Sequence, residues 1–316
     1  MVKEDLFLLT LKLYLKNNFM KDLTVVIVTY RTPKKIITNC IRSIQKNVKI
    51  LIIENSSNFE HNSLLKKFPN LKILCTGKNL GYGKGNNFGL VSVKTKYVLI
   101  LNPDIVCEKN LFKSISSVIR KKINFHIIGC QYLKDKVFMP AGYFDYKKNE
   151  DFKKTFHQKN IKLLTRVEWV KGCSMLINLK KFKNKNIFDK NYFLFFEEFD
   201  LCKSIIDKNG NIFTCNEFKV HHLGFKSSLG KNLSEKINAN NVKDWHWMWS
   251  SFYFYKKNYN FFYATYKLIG KLIKSFFKII IYSSTFQKNK KDKYLYRFLG
   301  LFNSFINKPS YFRGKD

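Results

Sequence analysis

Arginine is scarce in this chain: only Arg31, Arg42, Arg120, Arg166, Arg297 and Arg313 stand among its 58 basic residues. Readers of polyanions favour the planar guanidinium fork, so its scarcity argues against nucleic-acid binding despite a net charge of +36. The chain is also rich in Asn, Ile, Phe and Tyr, which like lysine have AT-rich codons; a low-GC genome produces such a surplus without selection for a polyanion. Paired cysteines are missing. The seven present are odd in number, scattered and mostly in apolar stretches, which excludes a zinc site of ordinary spacing and points to buried thiols in a reducing compartment. A secretory leader is missing as well, because the apolar stretch 6–15 is broken by Lys12 and lacks a small-residue cleavage site. No uncharged run reaches the ~18 residues of a membrane span. These absences predict a cytoplasmic protein that can rest on a membrane surface.

Acidic residues are few, 22 in all, so a cluster of them stands out. The segment Phe-Leu-Phe-Phe-Glu-Glu-Phe-Asp ends an aromatic run in Glu197, Glu198 and Asp200. Mutual repulsion and partial desolvation raise a carboxylate's pKa and suit it to proton transfer. Acids also suit the first turn of a helix, where they meet its dipole.

With 316 residues the chain can hold one large α/β domain and an appendage. Residues 1–22 form a basic, apolar preface. Continuous apolar runs at 23–30, 48–54, 71–75 and 97–101 predict strands buried on both faces, with helices at 33–45, up to 68, at 86–93 and at 109–121. This alternation predicts a mostly parallel sheet flanked by helices, which binds ligands at the carboxyl ends of its strands. Those ends read Thr29-Tyr30, Glu54-Asn55-Ser56 and Asn102-Pro103-Asp104. Beyond them, strands are expected at 126–133, 137–144 and 166–171, a lysine-rich loop at 147–160, a helix from the acids to Asp207, and two closing strands at 211–215 and 219–222. From 231 to 316 the composition turns aromatic and basic, with helices at 244–255 and 263–282. In the second of these, Lys267, Lys271, Lys274 and Lys278 share one face, the pattern of a helix that lies in an anionic bilayer surface or packs with its lysines in water.

The glycine cluster Asn79-Leu-Gly-Tyr-Gly-Lys-Gly-Asn-Asn87 precedes a helix and could approach a phosphate, but it fits neither the P-loop nor the dinucleotide fingerprint. Asp104 can present hard oxygens to Mg²⁺ or Mn²⁺, and His222 ends another apolar run.

In order, Val-Val-Ile-Val-Thr-Tyr, Ile-Ile-Glu-Asn-Ser-Ser, the glycine cluster, Leu-Asn-Pro-Asp, Trp-Val-Lys-Gly-Cys-Ser-Met-Leu-Ile, Phe-Phe-Glu-Glu-Phe-Asp-Leu-Cys and His-Leu-Gly-Phe-Lys-Ser resemble family 2 glycosyltransferases, especially the rhamnosyltransferase-like group of bacterial surface polysaccharide synthesis. The resemblance covers residues 23–230 and implies a GT-A fold with a C-terminal helical extension at 231–316. It implies inverting, metal-assisted transfer of a hexosyl or deoxyhexosyl unit from a nucleotide-diphosphate sugar to a glycan, lipid-linked at the inner face of the cytoplasmic membrane, in O-antigen-like or capsule synthesis. Thr29, Tyr30, Glu54 and Asn55 would hold the nucleoside, Gly81, Gly83 and Asn86 would close over it, and Asn102 and Ser227 would join the donor site. Asp104 would take the metal position, His222 would assist at metal or diphosphate, Gly172 would lie against the sugar, and Glu198, Glu197 or Asp200 would be the base. Two departures stand out: Glu54 where the family usually has aspartate, and Glu197-Glu198 where it usually has Glu-Asp. The rival readings are a nucleotidyltransferase, which normally needs glycines after the first strand that Thr29-Tyr-Arg-Thr-Pro33 lacks, and a non-catalytic lysine-rich nucleic-acid or membrane-binding protein.

Overall fold

The computed structural model describes residues 20–132, 141–157, 163–223 and 233–313. Most of the preface, half of the expected strand at 137–144, and Ser227 lie outside the described residues. The chain divides into two compact units, one of Met1–Asn79, Gly85–Ile187 and Cys202–Ser227, the other of Leu80–Lys84, Phe188–Leu201 and Ser228–Asp316.

The first unit is built on a nine-stranded sheet in the order β3-β2-β1-β4-β10-β6-β11-β5, with β8 paired to β11. Strands β1 (Leu23–Thr29), β2 (Lys49–Glu54), β3 (Leu71–Cys75) and β4 (Tyr97–Leu101) run parallel. Their β-branched and aliphatic runs are almost wholly buried in β1, β2 and β4, as a sheet covered on both faces requires. β3 takes the edge, with Lys72 exposed on it. Helix α1 (Lys34–Ser43) buries Ile37, Cys40 and Ile41, the three- and four-residue spacing of an amphipathic helix. Short α2 (Ser63–Lys67), then α3 (Tyr82–Ser92) and α4 (Leu111–Arg120) complete the alternation. Because β2 and β4 flank β1, the strand order reverses at β1, the kind of position beside which open α/β sheets take ligands.

The rest of the sheet is mixed. β5 (Ile105–Cys107) and β10 (Ser174–Asn178) pair antiparallel with β11 and β4, whereas β6 (Ile127–Tyr132) runs parallel to β11. The two expected closing strands are one, β11 (Ile212–His222), whose pairing with β6 shifts register between Thr214 and Lys219. The expected strand at 166–171 is split into β8 (Leu164–Val167) and β9 (Trp169–Val170), and β9 pairs with the two residues of β7 (Ala141–Gly142). Much of the expected loop at 147–160 is helix α5 (Tyr146–His157). Asp145 Oδ1 accepts the Lys148 N–H at 2.8 Å to cap it, and Phe152 packs edge-on against Tyr143. Of the seven free cysteines all but Cys75 are buried, and burial pushes the Cys107 thiol up to about 12, so these are small hydrophobes rather than nucleophiles.

In the second unit, helix α6 (Glu197–Ile206) begins before the chain returns to the first. Helices α7 (Leu233–Asn258), α8 (Phe261–Ser284) and α9 (Lys288–Phe305) pack on one another through Met248, Phe252, Ala264, Leu268 and Leu301. No helix among the described residues is long and apolar enough to cross a membrane.

Candidate active site

The nucleoside-end residues converge at the carboxyl edge of β1 and β2, whose register sets Thr29 opposite Glu54. Glu54 is buried, and its carboxylate accepts from Thr29 Oγ1 at 2.6 Å, from Ser56 Oγ at 2.8 Å and from the Arg31 N–H at 3.2 Å. These bonds fix the strand ends and give the longer side chain found here in place of aspartate a defined position. Asn55 donates its N–H to Thr29 O at 2.7 Å, and Tyr30 is half-buried beneath the Arg31 guanidinium. A Cβ at Gly85 would come within 2.9 Å of Val28 and 3.0 Å of Asn55, so glycine there lets α3 lie directly on these strand ends, with Asn86 buried next to it. The glycine cluster was expected as a loop ahead of a helix starting near Asn86; Gly83 and Gly85 lie inside α3, because close packing rather than flexibility selects them.

The residues expected at the diphosphate lie in the turn after β4. Asn102 donates its N–H to Cys173 O at 2.9 Å, which ties this turn to the Gly172-Cys173 turn leading into β10. Pairing of β5 with β11 sets His222 opposite Ile105, and Leu223 N–H bonds Asp104 O at 2.9 Å. His222 Nε2 thereby stands 3.4 Å from Asp104 Oδ1. That oxygen is buried and accepts no hydrogen bond from the described residues. A buried carboxylate oxygen in this state, with an imidazole nitrogen beside it, fits a hard divalent cation. Among the described residues no set of three His, Cys, Asp or Glu converges on one point.

The acidic stretch belongs to the second unit, and a network absent from the sequence reading holds it. Phe195 and Phe196 both adopt φ of +67°, a left-handed conformation that costs bulky residues on the order of 1–2 kcal/mol each. Ring contacts from Phe195 and Phe196 to Trp247, from Phe196 to Phe254, and a 2.8 Å bond from Ser250 Oγ to Leu194 O enforce it. Phe193 packs against His246 with the rings tilted by 36° and carries the Arg313 guanidinium 3.8 Å from its ring centroid. Burial lowers the His246 pKa to about 3, so it stays neutral, bonded through Nε2 to Phe312 O. Farther along, Lys257 reaches Asp200 at 2.6 Å and Asp189 at 2.7 Å, and Asn258 Nδ2 donates to Asp200 at 3.0 Å. His246, Ser250, Tyr253 and Lys257 lie four, three and four apart on one face of α7, a polar stripe legible in the sequence, though its target is not.

Within this frame the three acids differ. Asp200 is buried and bound by Lys257, Asn258 and, at 3.4 Å, Tyr192. Glu197 is buried with Oε2 accepting no hydrogen bond from the described residues; burial, reinforced by the charge of Glu198, raises its pKa well above the carboxylate range. Glu198 is half-buried. Gly83 lets α3 lie against this stretch, since a Cβ there would stand 3.5 Å from that of Glu197. At Gly81, with φ of +82°, a Cβ would meet Phe193 O at 2.1 Å. Gly81→Ala is therefore expected to destabilise the protein by about 2 kcal/mol or more, read as a lowered urea midpoint.

The glycosyl transferase family 2 profile matches residues 24–184, just over half of the chain. The chain belongs to glycosyl transferase family 2. Escherichia coli rhamnosyltransferase WbbL is 26% identical over 186 residues, 54% of this chain and 70% of WbbL. The low-salt glycan biosynthesis hexosyltransferase Agl10 of Haloferax volcanii is 23% identical over 218 residues, 66% of this chain and 69% of Agl10. The mannosyltransferase PcManGT of Pyrobaculum calidifontis, solved with GDP-Man and Mn²⁺, superposes with a TM-score of 0.50 at 10% identity, covering 90% of this chain and 87% of the other. This glycosyltransferase thus has the GT-A-like fold that its motifs imply and uses a nucleotide-sugar donor.

Proposed function

We propose that this glycosyltransferase moves a hexosyl or deoxyhexosyl unit, with inversion, from a nucleotide-diphosphate sugar to a lipid-linked glycan in cell-surface polysaccharide synthesis, at the cytoplasmic face of a membrane. The observation that carries the donor half is the buried Asp104 oxygen beside His222 at the strand edge. The names of WbbL and Agl10 support the sugar class and the glycan pathway.

Thr29, Tyr30, Glu54 and Asn55 hold the nucleoside, with Asn86 beside them; Asn102 and Ser227 join the donor site, and Gly172 leaves room for the sugar. Asp104 and His222 hold Mg²⁺ or Mn²⁺, as the Mn²⁺ of the mannosyltransferase suggests. When bound, the cation neutralises charge growing on the leaving diphosphate. Burial and the charge of Glu198 oppose ionisation of Glu197, so the base role falls to the more accessible Glu198. Glu198 takes the acceptor hydroxyl's proton as that oxygen bonds the anomeric carbon, and the bond from that carbon to the diphosphate breaks with its electron pair leaving on the nucleotide. Gly81 and Gly83 shape the stretch that carries this base. Asp200 is a positioning residue, engaged by Lys257 and Asn258.

A thermal-shift series with UDP, GDP and dTDP tests the donor half. One of them at about 100 Kd with Mn²⁺ should raise Tm by about 5 °C. Asp104→Ala should abolish the metal-dependent part of that rise; an undiminished rise in the variant would remove Asp104 from the metal site.

A further inference from the structure

The helix α8 has three distinct faces. Ala264, Leu268 and Ser275 are buried against the neighbouring helices. Lys267, Lys271, Lys274 and Lys278 line a second face. The third is apolar and open to solvent: Phe262, Tyr266, Ile269, Ile273, Phe277 and Ile280, at intervals of four, three, four, four and three residues. Nothing in the packing of α7, α8 and α9 covers this stripe. At the turn into α9, Phe286 is 92% exposed and has a left-handed φ of +52°. Lys288, Lys290, Lys291 and Lys293 follow it, and α8 itself contains no acidic residue.

We propose that this stripe is a membrane-docking surface, with α8 lying in the plane of an anionic bilayer, its aromatic and aliphatic side chains among the upper acyl chains and its lysines at the phosphates. The charge pattern selects this occupant. A second copy would bring the same lysines against their like, with no carboxylate on α8 to answer them. An anionic lipid surface answers them all, and long lysine side chains reach the headgroup level from a helix whose apolar side is immersed. A helix of 24 residues, about 36 Å long, presents the stripe along its whole length, which suits a flat orientation. The inference deepens the proposed use of a lipid-linked acceptor and rests on that reading for its purpose alone.

Flotation of the full-length protein with phosphatidylcholine vesicles, with and without about one-third phosphatidylglycerol, tests it. The wild type should bind the anionic vesicles at least ~10-fold more tightly than the neutral ones. Ile273→Ser/Phe277→Ser, which alters only exposed positions, should lose ~10-fold or more of that affinity, with circular dichroism checking the fold. Replacing the four α8 lysines by glutamine should remove the anionic preference. Equal binding by the wild type and both variants would overturn the proposal. So would a concentration-dependent dimer, without vesicle binding, that the serine variant dissolves. Donor binding by thermal shift needs no vesicle, so it separates failure of the surface from failure of the transferase reading.

Discussion

Replacing Glu198 by glutamine is expected to slow sugar transfer about 10²- to 10⁴-fold with nucleotide binding little changed, the loss typical of a removed general base. The neighbouring substitution gives the contrast. Burial and the charge of Glu198 both oppose ionisation of Glu197, so Glu197→Gln puts a neutral hydrogen-bonding group of similar shape where a charge is disfavoured. It should cost less than about tenfold. Steady-state kinetics of both variants with one donor and one acceptor decides the assignment: equal losses would mean that the acids act as one unit, and the reverse order would move the base to Glu197. The buried acid also has a stability signature. A carboxyl whose folded pKa is raised binds its proton more tightly folded than unfolded, so stability declines as pH climbs above ~4.3, the unfolded value, toward the folded one. Glu197→Gln should flatten that decline.

Lys257→Met is expected to lower stability by about 2–3 kcal/mol. It leaves Asp200 and Asp189 without their cation, and the figure sits at the low end for a broken buried pair because Lys257 is itself 38% exposed. For Asp189, burial alone would raise the pKa, but Lys257, the Asn191 N–H and Tyr253 overcome it and hold the carboxyl below its ordinary value. Its contribution is thus present above ~3.9 and lost as pH falls through the depressed folded value. For Lys257, burial alone would lower the pKa, but bonds from Asp189 and Asp200 raise it. That contribution is full below ~10.4 and lost as pH rises through the folded value. Between these limits the pair's own contribution is constant, and urea midpoints of the variant across pH should lose the acid-side slope that the parent shows. An unchanged slope would mean that Lys257 does not hold these acids in solution.

The parallel half of the sheet was legible because β1, β2 and β4 are continuous runs buried on both faces, and such runs have few alternative folds. Asp104 was found from its place at a strand end. Its approach to His222 was not readable, since it depends on the antiparallel register of β5 and β11, a pairing between distant parts of the chain. Helix α5 was missed because its apolar face is sparse, although Asp145 three residues ahead of the Lys148 N–H it caps was a readable signal. The division of labour among Glu197, Glu198 and Asp200 was out of reach for a different reason. Sequence shows three acids in one turn, but only packing distinguishes the acid bound by Lys257 from the one buried with an oxygen that accepts no hydrogen bond from the described residues.

The paired left-handed phenylalanines set a schedule for the enzyme's birth. Phe195 and Phe196 adopt their costly turn only with Trp247, Ser250 and Phe254 against them, all from a helix that follows them in the chain. During synthesis the strands up to β11 leave the ribosome while those partners are still unmade. The acidic turn thus takes shape only once α7 has been made, and a chain released before then carries its acids without the side chains that hold them.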